Sequence, residues 1–83
     1  MIAQGKVIAF NRQSGLLGVE LNAHSYVLAE HLQGDSLAPG QSLSGEMDSF
    51  GEEEWMNADT QQKITVFVQA YDISQEAVEL AMR

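Results

Sequence analysis

The chain has 83 residues, four Lys or Arg against twelve Asp or Glu, a formal charge of −8 and no cysteine. One domain of this size buries roughly 60–65% of its unfolded surface, and the missing thiols exclude both a disulfide framework and a thiolate metal site. The charge balance excludes a basic stripe, because affinity for phosphate backbones rests on Lys and Arg displacing counterions. The charge is also unevenly placed. Residues 1–33 set Lys6 and Arg12 against Glu20 and Glu30, while residues 34–83 set Lys63 and Arg83 against ten acids and so carry the whole −8. The start, Met1 to Lys6, shows no basic leader before an apolar block, and no apolar run approaches the ~18 residues that span a bilayer. A soluble cytoplasmic protein with no membrane association is expected, its acids serving solubility at the least.

In chain order, the first strand is expected over 3–10, where Val7, Ile8 and Phe10 have strand propensity, and Asn11 to Gly15 make the turn. A second strand runs from Leu16 to Leu21 and a third from Ser25 to Ala29, with Asn22-Ala23-His24 between them. Glu30 to Gly40 is a longer connection that Asp35, Pro39 and Gly40 keep irregular. Ser42 to Met47 forms a fourth strand, with Leu43 and Met47 on one face and Gly45 where the chain bends or packs closely. Residues 48–62 are polar and acidic, either a long loop or the ends of two strands joined at Asn57-Ala58-Asp59. The strand after them is the clearest, with Ile64, Val66 and Val68 alternating with Thr65, Phe67 and Gln69. Ser74 then caps a short helix, with Ala77, Leu80 and Ala81 sharing a face with Ile73. A helix this short is marginal alone, so it is expected to pack on an open end of the barrel or on a second copy.

Four stretches together resemble a cold-shock-type domain. Gly5, Val7, Phe10 and Asn11 fit the opening Gly-x-Val-x-Trp-Phe-Asn, with Ala9 at the Trp position. Ser14-Gly15-Leu16-Leu17-Gly18-Val19 stands where the family has Lys-Gly-Phe-Gly-Phe-Ile. Ser25-Tyr26-Val27-Leu28-Ala29 stands where it has Val-Phe-Val-His-Phe, and Leu37, Gly40, Gln41 and Leu43 fit its later Leu-x-x-Gly-Gln-x-Val. The resemblance covers about residues 4–47 and more loosely 63–72. It implies an all-β fold, a small five-stranded OB-type barrel over 4–72, followed by a C-terminal helix over 74–83 that lies outside the family pattern, the whole of 1–83 being one domain. It also implies single-stranded nucleic-acid binding on strands one to three, through Lys6, Phe10, Arg12 and Tyr26. The platform is depleted, however, because only Tyr26 stays in register. Each lost base stack removes roughly 1–3 kcal/mol.

Other chemistry finds little support. His24 and His31 are seven apart with no strand or helix logic joining them as ligands. Gly40-Gln41-Ser42-Leu43-Ser44 lacks the second glycine of a nucleophile elbow. Asp48 with Glu52, Glu53 and Glu54 lacks the spacing of a calcium loop. No catalytic residue, metal or cofactor is expected.

The remaining candidate is a protein-binding face at Asp48, Phe50, Glu52, Glu53, Glu54 and Trp55. Trp55 has two readings. Its ring folds into the core, or it stands exposed as an anchor, since tryptophan is enriched at interface hot spots. Ringed by acids, such an anchor suits a basic protein partner that charge steers toward it. The sequence thus favours a non-enzymatic acidic binding module, with single-stranded RNA or DNA binding as the alternative. Homo-oligomerisation through an edge strand or the final helix is compatible with either.

Overall fold

Alternating small and branched apolar residues set the inner face of a barrel, because successive side chains on a strand point to opposite sides. The computed structural model describes residues 2–83. In order these form β1 (Ile2–Phe10), β2 (Leu16–Asn22), β3 (Ser25–Gln33), β4 (Ser42–Glu46), β5 (Gly51–Asn57), β6 (Gln62–Ile73) and the helix α1 (Gln75–Ala81). β1–β2–β3 is one antiparallel meander and β4–β5–β6 a second. The two join along both edges, β1 against β4 and β3 against β6, and close the barrel. The fold is therefore all-β with one short C-terminal helix, as expected.

The strand count differs from expectation, six rather than five. The additional strand is β5, within the acidic stretch that the sequence left open between a loop and two strand ends. Its glutamates have little strand propensity, but its whole length pairs with β6, from Gly51 opposite Val68 to Asn57 opposite Gln62. Trp55 also anchors it from the inside. On its other side β5 meets β4 only through Leu43 opposite Asn57 and Ser44 opposite Met56. β3 likewise runs four residues beyond the expected Ala29, because β6 offers it partners as far as Gln33.

The core is the barrel interior. Val7, Leu17, Val19, Val27, Ala29, Leu43, Trp55, Ile64, Val66 and Val68 fill it, with Leu37 and Met47 closing it from the loops. Trp55 is 1% exposed. Its indole N–H donates to the Glu46 carbonyl at 2.7 Å. Gly45 makes room for the ring, since a Cβ there would run into Trp55 Cδ1. This is the close packing that a glycine inside the fourth strand suggested.

Side-chain amides tie the turns. Asn11 Oδ1 accepts from the N–H groups of Gln13 and Ser14. The buried Asn57 accepts from Asp59 N–H at 3.0 Å and Thr60 N–H at 3.3 Å, and donates to Gln41 Oε1 at 3.1 Å. Gln41 Oε1 also accepts from Ala38 N–H, and Asp59 Oδ2 from Ser42 N–H. These bonds belt the β3–β4 connection to the β5–β6 turn. The same connection grips β1 at its bulge, where Val7 N–H donates to Gln41 O and Gly40 N–H to Val7 O.

Ser74 caps α1 as expected, its Oγ accepting from Ala77 N–H at 3.1 Å. The helix face is rotated from expectation. Val78, not Leu80, is the buried residue, and Leu80 is exposed. α1 does not plug a barrel end. It lies on the outer side of the first meander, over Gly18 and β3. No helix among the described residues is long and apolar enough to cross a membrane.

Candidate functional site

Two surfaces carry the residues singled out by sequence. The first is the outer face of β1–β3. Leu17 and Val19 point into the core, so Gly18 between them points outward; Val27 and Ala29 likewise place Tyr26 and Leu28 outward. Yet Tyr26 is only 3% exposed, and Leu28 is buried beside it, because α1 lies over both. Gly18 is the seat of the helix. A Cβ there would stand 2.7 Å from Val78 Cγ1, closer than packed atoms tolerate. The Tyr26 hydroxyl donates to Glu20 Oε2 at 2.8 Å, with Gln75 Oε1 of α1 at 3.4 Å. The hydrogen bond to Glu20, then burial, then the charges of Glu20 and Glu79 hold the Tyr26 phenol above its ordinary 10.0.

Of the four residues proposed to hold nucleic acid, only Lys6 and Tyr26 share this face, in register across Glu20. Lys6 is exposed and stands opposite Glu20 in register. Arg12 is exposed in the β1–β2 turn. Phe10 packs against the core and meets His31 edge-on, centroids 5.5 Å apart. Tyr26 lies beneath α1. Sequence reasoning missed Gly18 and Val78 as a contact pair. The available signal was a glycine inside a strand, which often marks a close approach.

The second surface is built on β5 and its flanks. Inward Trp55 and Asn57 leave Glu52, Glu54 and Met56 on the outer side of the strand. The expectation of Trp55 as an exposed anchor is corrected by this placement. Its ring belongs to the core, and its neighbours alone face solvent. Glu53 turns inward at the barrel mouth and accepts from Ser49 Oγ at 3.1 Å. Asp48 is exposed. Phe50 is 67% exposed, its ring resting on Tyr71 with centroids 4.7 Å apart and planes at 46°. On β6, Phe67 is 45% exposed and stands in register between Glu52 of β5 and Glu30 of β3. Lys63 Nζ lies 3.6 Å from Glu54 Oε1, both side chains being about two-thirds exposed. Such a solvated pair contributes at most about 1 kcal/mol.

This second surface combines two uncovered aromatic rings with outward carboxylates. Among the described residues no three His, Asp or Glu side chains converge as a metal site. A scan of family models and searches of curated proteins and of solved structures found no match to this chain.

Proposed function

We propose that this protein is a non-enzymatic binding module, a divergent cold-shock-like OB-type barrel whose β5–β6 face contacts a basic protein segment. The observation that carries the reading is Phe50, two-thirds exposed and in tilted contact with Tyr71 beside the outward carboxylates of Asp48, Glu52 and Glu54. An exposed ring stabilises a complex by burial, while the carboxylates around it select a cationic partner and speed encounter. Phe67 between two glutamates repeats that chemistry on the neighbouring strand.

The competing assignment, single-stranded RNA or DNA held by Lys6, Phe10, Arg12 and Tyr26, is weakened by two features. The Tyr26 ring is not available for stacking while α1 is seated, and the chain charge of −8 opposes a polyanion.

The test is a fluorescence-anisotropy titration with labelled Arg- and Leu-rich peptides, an acidic control of equal length, and oligo-dT. The wild-type chain should bind the basic peptides saturably. A Phe50→Ser, Glu52→Lys, Glu54→Lys variant of unchanged thermal stability should lose that binding. Equal binding by the variant, or a preference for oligo-dT, would refute the proposal.

A further inference from the structure

We infer that α1 is a lid, an element that opens separately from the barrel and controls access to the apolar outer face of β1–β3. Four observations converge on this. The core cluster is complete without α1, because none of its members comes from the helix or from the face beneath it. The helix is seven residues long with Val78 as its one buried residue, too short to persist without docking. Its fit is loose. A groove of about 340 Å³ runs between it and β1, lined by Ile8, Ala9, Val78 and Met82 among others. Finally, only Ser74 separates the last paired residue of β6, Ile73, from the first residue of α1, Gln75. Asp72 adopts φ 55, a left-handed conformation unusual outside glycine, and Ser74 returns to extended backbone before the first helical turn.

What the lid closes over is specific. Ile8, Gly18, Tyr26 and Leu28 form an apolar strip on the sheet, and the closed state hides Tyr26 and Leu28 almost completely. Rotation at Ser74, the first residue past the Ile73–Tyr26 strand pair, lifts Val78 off Gly18 and leaves the pairing of β6 with β3 in place. The strip is separate from the β5–β6 face, and the lid stands or falls independently of the binding role given to that face.

The experiment is native-state hydrogen exchange on the full chain, read by NMR. The reporters are the amides of Val78 and Met82, which bond to the Ser74 and Val78 carbonyls. They should be protected relative to an unstructured chain, yet exchange on the order of a hundredfold faster than core amides of β2 and β6, with little dependence on denaturant, as local opening does. Val78→Ala should speed them further and leave the core amides unchanged. Gly18→Val occupies the seat of Val78 and should abolish their protection while the barrel melts cooperatively as before. Exchange of α1 at the core rate with the core's denaturant dependence overturns the lid. So does an absence of protection in the wild-type chain, or unchanged α1 protection in Gly18→Val.

Discussion

Replacing Trp55 by phenylalanine separates a core role from a surface role. The indole is 1% exposed, and its N–H is satisfied by the Glu46 carbonyl at 2.7 Å. Phenylalanine removes that hydrogen bond, worth about 1 kcal/mol net, and leaves a void where the five-membered ring packed on Gly45, so the total loss is about 2–3 kcal/mol. A domain of this length has a stability of about 4–12 kcal/mol, and the loss corresponds to roughly 10–20 °C in Tm. Alanine would cost about 3–5 kcal/mol and leave the least stable case unfolded, which makes phenylalanine the informative variant. The assay is urea and thermal unfolding, together with acrylamide quenching of the wild-type emission. A blue-shifted, poorly quenched wild-type spectrum and the stated drop in Tm are expected. A red-shifted, readily quenched spectrum with no change of Tm in the variant would refute the core assignment.

Asn57→Ala deletes the hub of the belt between the β3–β4 connection and the β5–β6 turn. It should destabilise by about 1–3 kcal/mol in urea titration, because buried donors and acceptors lose their partner. An unchanged midpoint would show the belt to be incidental. Tyr26 makes the fold alkali-sensitive. Its phenol holds its proton more tightly folded than unfolded, so the stabilisation is complete below the ordinary 10.0 and disappears as pH rises through the higher folded value. Tyrosinate absorbance should show one late-titrating phenol that Glu20→Ala brings down, and an unmoved titration would deny the Glu20 contact. Lys63→Ala should leave Tm within experimental scatter, since its ion pair with Glu54 is well solvated.

The sequence disclosed most where structure is local. Alternation in β6, the Asn11 turn, the Ser74 cap and the packing glycine at 45 were legible because propensity and pattern act within a few residues. β5 was not. Glu52-Glu53-Glu54 reads as solvated loop until β6 is known to run alongside it, and that pairing also drives Trp55 inward. The far half of β3 was hidden for the same reason, its partners lying more than thirty residues away on β6. At the candidate site, the exposed Phe50 and its acidic neighbours were visible in the sequence. The burial of Tyr26 was not, because it depends on where a seven-residue helix comes to rest. Gly18 held the clue, since losing a side chain from the middle of a strand is costly unless something must come close.

Because β6 pairs with both β3 and β5, it also governs the order of assembly. Chain elongation completes both meanders' first strands well before residues 62–73 exist, and until then β3 carries an unsatisfied edge. That edge contains Tyr26-Val27-Leu28-Ala29, four uncharged residues of which Tyr26 and Val27 favour strands. The nascent chain therefore passes through a stage in which an uncharged strand edge is uncovered, and a single late strand ends it. Substitutions that slow the docking of β6 should reduce soluble yield more than their effect on the finished barrel implies, because they prolong the exposure of β3 to neighbouring chains.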